Sequence, residues 1–265
     1  MLEYEFMRNA LFAILTVTPL FGLVGTMIVN NKMAFFSDSL GHSAITGIAI
    51  GALLGVTNPT ISMIIFAVIF AILLNKINDS KTSSSDTIIS VFSSTAIAIG
   101  LVILSKNGNF TKFSNYLIGD ILSIVPSEVI TIFVVAIIVL LFWLLFFNKL
   151  LAMSVNTTLA KSKNIKVKLL ENMFIILVAV IVMLSIKWVG VLIINALLIL
   201  PAASSRNISK NMRQYHLWSV LFSVISGILG LIISYYQRIA TGPTIVIIAS
   251  IIFFATYFLR KASED

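Results

Sequence analysis

Long apolar runs separated by short polar segments extend along the whole chain. Eight runs approach the roughly 20 residues that a membrane-spanning helix needs, and they lie near residues 11–29, 60–75, 87–105, 129–147, 172–186, 189–205, 217–235 and 244–259. A ninth run, 38–57, is richer in Gly and Ser and contains Asp38 and His42. The pattern predicts an all-α, polytopic integral membrane protein with about eight transmembrane helices, within a range of seven to nine.

The composition supports a membrane protein and excludes several other classes. Hydrophobic residues make up 59% of the 265 positions and charged residues only 11%, whereas about a quarter of the residues in a soluble domain are charged. A soluble enzyme, a disordered chain and a nucleic-acid-binding module are therefore excluded, and we expect lipid but no nucleic acid as a partner. Because no shift in composition marks a boundary, residues 1–265 are predicted to form a single transmembrane domain.

The net charge of +8 comes from basic residues that cluster between the apolar runs. Lysines and arginines concentrate in the segments 148–171 and 206–213 and at 260–261. Cytoplasmic loops carry such an excess of basic residues, so these segments are predicted to be cytoplasmic. The location of the N-terminus depends on the number of spans, since nine spans place it outside and eight place it inside.

Two ionisable side chains within the ninth run are candidate metal ligands. Asp38 and His42 are four residues apart, which places them on one face of a helix, one turn from each other. A carboxylate and an imidazole suit Zn²⁺ or Mn²⁺. Ionisable side chains at membrane depth are costly, so their presence there indicates a function. In the alternative interpretation, Asp38 caps the helix and His42 makes an ordinary interhelical hydrogen bond.

A single Asp/His pair does not hold a transition metal well. Two copies in a symmetric homodimer would supply two aspartates and two histidines, enough for a tetrahedral site. Dimerisation is therefore part of the metal hypothesis.

Other polar or small residues in the runs favour structural roles. Gly47, Gly51 and Gly55 recur every fourth residue, which indicates a face where helices approach closely. Asn195 is predicted to make an interhelical hydrogen bond, and Asp120 to be an acid in a loop or at a helix end. The chain contains no cysteine and no phosphate-binding loop of the Gly-x-x-x-x-Gly-Lys type. Transport would therefore draw its energy from a partner or an ion gradient, and we expect no enzyme activity in this chain.

Four stretches, in order along the chain, resemble one known family. They are MAFFSDSLGH at 33–42, YLIGDILSIVP at 116–126, VGVLIINALLILPAA at 189–203 and TGPTIV at 241–246. Together they resemble the membrane permeases of bacterial ABC importers for zinc and manganese, and they cover nearly the whole chain.

The resemblance implies a permease subunit of an ATP-driven divalent metal importer in the bacterial inner or plasma membrane. Such a permease works as a homodimer with a cytoplasmic ABC ATPase and an extracytoplasmic metal-binding protein. The metal, Zn²⁺ or Mn²⁺, is cargo, and no permanent cofactor is implied. By position, Asp38 and His42 inherit a place on the metal pathway. The segments 206–213 and then 148–171 are the candidate contacts with the ATPase.

The chain departs from the family pattern around His42 and at Asn156, where many members have an aspartate, so no metal role is predicted for Asn156. Gly41 stands where the family has a serine before the histidine, and 45–47 reads Ile-Thr-Gly in place of Leu-Pro-Gly. The stretches 150–156 and 241–243 are more similar to the zinc members, so zinc is the favoured substrate, with manganese or iron as the alternative. Two other classes stay open: a proton-coupled secondary transporter with Asp38, Asp120 or Glu128 as proton relay, and a non-transporting membrane scaffold or receptor.

Overall fold

The chain folds as a bundle of α-helices. The structure, a computed structural model, describes residues 3–78, 85–106, 116 and 119–264, and this part of the chain contains no β-strand. The ten helices of the described part are α1 Glu5–Asn30, α2 Ala34–Leu53, α3 Pro59–Asn78, α4 Ser85–Lys106, α5 Pro126–Val155, α6 Thr157–Ser162, α7 Val167–Val189, α8 Val191–Ile208, α9 Met212–Gln237 and α10 Thr241–Glu264. One turn of 3₁₀-helix, Ile121–Ser123, precedes α5. The predicted all-α class is confirmed.

Seven of these helices are long and apolar enough to cross a membrane: α1, α3, α4, α5, α7, α9 and α10. Helix α2 has 20 residues, enough for a crossing by length, but its Ser, Gly, Asp and His residues make it less apolar. Helix α8 is shorter and is separated from α7 by Gly190, whose φ of +88° an L side chain rarely adopts. The multi-pass prediction is confirmed, and each predicted run falls largely within one helix.

The C-terminal end of α1 lies at the same face of the bundle as the basic segments. Asn30 Nδ2 donates to Ser154 Oγ (2.7 Å), within the basic segment 148–171, and Tyr215 OH donates to the carbonyl of Thr26 (3.4 Å), just after the segment 206–213. The start of α1 is therefore at the opposite face. The location of the N-terminus relative to the membrane stays a prediction, because it depends on the predicted cytoplasmic location of the basic segments.

Helix α1 packs directly on α8 and α9. Gly25 is so close to α8 that a Cβ there would lie 1.9 Å from the carbonyl oxygen of Leu198. A Cβ at Gly22 would lie 2.8 Å from Val220 Cα of α9, and Ser219 Oγ donates to the Gly22 carbonyl (2.7 Å). These contacts fix α8, the helix that carries Asn195, against the centre of the protein.

Helix α2 packs between α3 and α4 through small residues, as its glycine spacing predicted. A Cβ at Gly47 would lie 2.9 Å from Met63 Cα, and one at Gly51 would lie 2.2 Å from Ser62 Oγ. Gly55 does not belong to this face, because α2 ends at Leu53 and Gly55, with φ +71°, lies in the turn that follows. On the α4 side, Thr46 Oγ1 donates to the carbonyl of Ala96.

Candidate metal site on helix α2

Asp38 and His42 lie side by side on the least buried face of α2. The Asp38 Oδ2 and His42 Nε2 atoms are 3.7 Å apart, and the side chains are 46% and 31% exposed, respectively. Phe35 and Ile45 continue the same stripe one turn to either side, while the residues between them in sequence, such as Leu40, are buried. The predicted pairing is present in a single copy of the chain, on a surface open to a ligand.

The alternative interpretation of Asp38 as a helix cap is wrong. Helix α2 begins at Ala34, its N-cap is Met33 without a side-chain hydrogen bond, and Asp38 is already within the helix. Among the residues that the structure describes, His42 also makes no hydrogen bond to a neighbouring helix, and Asp38 is its acidic neighbour. The capping alternative therefore gives no account of this pair.

Asn195 of α8 holds the Asp38 carboxylate. Its Nδ2 donates to Asp38 Oδ1 at 2.8 Å, and its Oδ1 accepts from Ser37 Oγ at 3.3 Å. The Asn195 side chain is buried. The predicted interhelical hydrogen bond is present, but the sequence did not identify its partner, which lies 157 positions away. A lone amide in the very apolar stretch 189–203 was the signal that pointed to a specific polar contact.

Gly41 provides the room for this amide. A Cβ at Gly41 would lie 3.1 Å from Asn195 Nδ2, so even an alanine would press on the side chain. The glycine that departs from the family pattern thus faces the asparagine that contacts Asp38.

The separation between the two ligand atoms fits a tetrahedral ion. Ligands placed 2.0–2.2 Å from a tetrahedral metal are about 3.4 Å from each other, close to the 3.7 Å between Asp38 Oδ2 and His42 Nε2. Around an octahedral ion with bonds of about 2.1 Å, adjacent ligands are about 3.0 Å apart and opposite ligands about 4.2 Å apart. In the described part of the chain, no cluster brings together three or more His, Cys, Asp or Glu side chains. One copy therefore offers two such ligands.

The pair lies in the half of the bundle nearer to the basic segments. The first turn of α2 borders a cavity of about 790 Å³ whose wall includes Lys32, Phe35, Thr157 and Val167. Along the helix, Asp38 and His42 are about 6 Å and about 12 Å from this end. Phe35, which lies one turn before Asp38 on the same stripe, is part of the cavity wall.

The two other candidate acids lie near the opposite face and have local structural partners. Asp120 is exposed, and its Oδ1 accepts from the backbone N–H of Leu122 (3.0 Å), which confirms the predicted role at a helix end. Glu128 forms an ion pair with Lys187, and its Oε2 accepts from Trp188 Nε1 (3.2 Å). Neither acid is hydrogen-bonded to Asp38 or His42.

Comparison with known proteins identifies the family. The family model described as the ABC 3 transport family matches residues 3–260. The chain belongs to the ABC 3 transport family. A high-affinity zinc uptake system membrane protein, ZnuB of Haemophilus influenzae, is 33% identical over 259 residues, covering 97% of this chain and 99% of the relative. A manganese transport system membrane protein, MntC of Listeria monocytogenes, is 27% identical over 257 residues, covering 97% and 91%, respectively.

A solved structure has the same fold over nearly the whole chain. It is PsaBC from Streptococcus pneumoniae in complex with Fab, with a TM-score of 0.85 and 28% identity, covering 96% of this chain and 91% of that one. The resemblance to ABC permeases is confirmed. The ABC 3 family protein described here is a multi-pass plasma-membrane protein and a transport component without enzyme activity of its own, since the ATPase of such a transporter is a separate subunit.

Proposed function

We propose that this ABC 3 family permease carries divalent metal ions into the bacterial cell and that Zn²⁺ is its preferred substrate. The observation that supports the proposal is the Asp38–His42 pair. Its two side chains are partly exposed, whereas the neighbouring residues of α2 are buried. Polar groups of this kind at membrane depth occur along substrate pathways. The energy comes from a cytoplasmic ABC ATPase, and an extracytoplasmic metal-binding protein delivers the ion.

Three observations support zinc over manganese. The separation of 3.7 Å between the ligand atoms is nearer to a tetrahedral than to an octahedral spacing. An imidazole ligand suits zinc, whereas manganese favours carboxylate, carbonyl and water oxygens. The zinc uptake protein of Haemophilus influenzae is also more similar to this chain, at 33% identity, than the manganese protein of Listeria monocytogenes, at 27%. Because the second relative is a manganese transport protein, manganese is the alternative substrate.

A second copy of the chain completes the site. A two-fold axis beside the exposed stripe of α2 would bring Asp38 and His42 of both copies around one ion, which gives two oxygen and two nitrogen ligands. Such a set has no thiolate and binds zinc more weakly than a closed cysteine site would. Weak ligation suits a station that must release its ion on every cycle.

The position of the pair suggests the direction of release. The permease alternates between outward-open and inward-open states, and the ion leaves the pair toward the cavity at the basic face. The cytoplasmic segments 206–213 and 148–171 are the proposed contacts with the ATPase. The first includes the C-terminal end of α8, the helix that holds Asp38 through Asn195, and the start of α9.

Uptake in intact cells under two kinds of energy depletion tests this function. Cells lacking the permease and cells complemented with it are given radioactive zinc or manganese. We expect complementation to restore zinc uptake, with little competition from an equal concentration of manganese. Uptake should persist when the proton gradient is dissipated while ATP is maintained, and should stop when ATP is depleted.

Other outcomes would identify another function. Dependence on the proton gradient alone would indicate the secondary transporter, in which an acid such as Asp120 or Glu128 relays protons. Restoration of manganese uptake only would change the substrate, and no restoration of either metal would favour a membrane scaffold.

A further inference from the structure

We propose that Asn195 is a positioning residue that holds Asp38 so that it binds the transported metal through Oδ2 alone. This inference rests on the proposed function, because it assigns a role to Asn195 within the same metal site. The hydrogen bond from Asn195 Nδ2 to Asp38 Oδ1 (2.8 Å) connects α8 to α2.

The chemistry of the contact fixes the orientation of the amide. An ionised carboxylate only accepts hydrogen bonds, so the atom of Asn195 that faces Asp38 is the nitrogen. The amide oxygen then points to Ser37, whose hydroxyl donates to it at 3.3 Å. Ser37 is buried and adjacent to Asp38 in sequence. The two residues of α2 thus bind both ends of one amide on α8.

The surroundings keep Asn195 from turning away. Asn195 is only 7% exposed, so water does not readily replace its hydrogen-bond partners. Gly41 faces the amide nitrogen, and a Cβ there would approach it to 3.1 Å. A residue with a side chain at position 41 would thus compete for the space that Asn195 occupies.

The hydrogen bond uses one lone pair of Oδ1 and draws electron density from it, which makes Oδ2 the better ligand atom for the ion. The free Oδ2 is the atom that lies 3.7 Å from His42 Nε2, so the hydrogen bond from Asn195 directs the remaining oxygen toward the second ligand. Without the amide, the carboxylate can rotate about its χ angles or bind the ion with both oxygens. Hydrogen bonds of this kind, which orient a metal ligand, typically change metal affinity by about 10- to 100-fold when they are removed.

The test measures zinc uptake as a function of zinc concentration in cells that carry the complete transporter. The variant Asn195→Leu has nearly the same size but lacks the amide. The control Asn172→Leu also removes an interhelical amide contact, the hydrogen bond from Asn75 Nδ2 to Asn172 Oδ1 (3.0 Å), which joins α3 to α7. We expect the half-saturating zinc concentration to rise about 10-fold or more in Asn195→Leu and about twofold or less in the control.

The maximal uptake rate per permease in the membrane separates positioning from folding. A positioning role predicts a shift in the half-saturating concentration, with the maximal rate per permease retained. An unchanged half-saturating concentration in Asn195→Leu, combined with loss of uptake in Asp38→Ala, would overturn the inference and leave the proposed function intact. Full uptake in Asp38→Ala would instead overturn the proposed function, and the role of Asn195 with it.

A second variant tests the positioning role of Asn195 if Asn195→Leu does not reach the membrane. Ser37→Ala keeps the amide but removes the hydroxyl that orients it. We expect a smaller rise, about threefold, in the half-saturating zinc concentration, since one of the two bonds that fix the amide is lost. A wild-type concentration curve for Ser37→Ala would then overturn the inference.

Discussion

Gly41 of α2 and Asn195 of α8 face each other so closely that a Cβ on the glycine would lie 3.1 Å from the amide nitrogen of the asparagine. The same nitrogen donates to Asp38 Oδ1. The size of residue 41 therefore controls the position of a hydrogen bond to a proposed metal ligand, although residue 41 itself offers no ligand atom.

Enlarging residue 41 should weaken metal uptake without unfolding the protein. Alanine is favoured over glycine within a helix by about 1 kcal/mol, so helix propensity alone predicts a neutral or stabilising effect. We expect Gly41→Ala to raise the half-saturating zinc concentration a few-fold and Gly41→Val to raise it further, because each displaces the Asn195 amide. The control Ala52→Val lies about three turns further along α2. Equal uptake curves for Gly41→Val and the control would contradict the account.

The proposed dimer predicts which surface of the chain faces its partner. Since the chain contains no cysteine, single cysteines can be introduced without background reaction. We expect Ile45→Cys, on the stripe that carries Asp38 and His42, to give a crosslinked dimer in membranes with a bifunctional thiol reagent that spans about 10 Å, because ligands of both copies lie about 2 Å from one ion. Leu144→Cys serves as the control, since Leu144 is 77% exposed on α5 and is expected to face lipid. Crosslinking through position 144 but not through position 45 would place the dimer contact elsewhere.

The contact between α1 and α8 should not tolerate a single added methyl group. A Cβ at Gly25 would lie 1.9 Å from the carbonyl oxygen of Leu198, and backbone cannot move away as a flexible side chain can. We expect Gly25→Ala to destabilise the protein by about 3 kcal/mol, through overpacking and the loss of close helix contact. The thermal midpoint of the purified protein in detergent measures the change. Leu15→Ala, on the same helix and 42% exposed, is expected to have little effect. A Gly25→Ala midpoint equal to that of wild type would show that the helices are further apart.

Glu128 should contribute to stability and not to transport. Its carboxylate accepts from Trp188 Nε1 and from the backbone N–H of Val125, in addition to the ion pair with Lys187. Removing it leaves these donors without their acceptor, so we expect Glu128→Ala to cost roughly 1–3 kcal/mol. Lys187→Ala should cost less, about 0.5 kcal/mol, because the lysine is 43% exposed and water screens the pair.

Uptake by the same two variants separates this role from a proton relay. We expect zinc uptake per folded permease to be retained in Glu128→Ala and in Lys187→Ala. Loss of uptake in Glu128→Ala, with normal amounts of folded protein in the membrane, would instead support a proton-coupled transporter.

The long helices could be predicted from the sequence because each one corresponds to a single continuous apolar run. The glycine spacing also predicted the packing face of α2, where Gly47 meets Met63 and Gly51 meets Ser62. The boundaries of α2 were less accurate. Asp38 resembles a helix cap in sequence, yet α2 begins four residues earlier, at Ala34, and its N-cap Met33 makes no side-chain hydrogen bond.

The sequence predicted the Asp38–His42 pair of the candidate site but not its contact with Asn195. The pairing of Asp38 with His42 follows from helical periodicity, which is a local property of the chain. The hydrogen bond to Asn195 joins residues 157 positions apart and depends on how α8 packs against α2. Periodicity within one helix contains no information on such a contact, so the sequence indicated a polar partner for Asn195 but not which one.

The metal content of cells under metal limitation tests the central proposal most directly. Zinc and manganese are measured by mass spectrometry in cells that carry wild-type permease, Asp38→Ala or His42→Ala at matched amounts in the membrane, with Asp120→Ala as a control acid outside the site. We expect both site variants to lose most zinc accumulation, while manganese content is unchanged and the control resembles wild type. Wild-type zinc and manganese content in both Asp38→Ala and His42→Ala would contradict the account and remove this pair from the metal pathway.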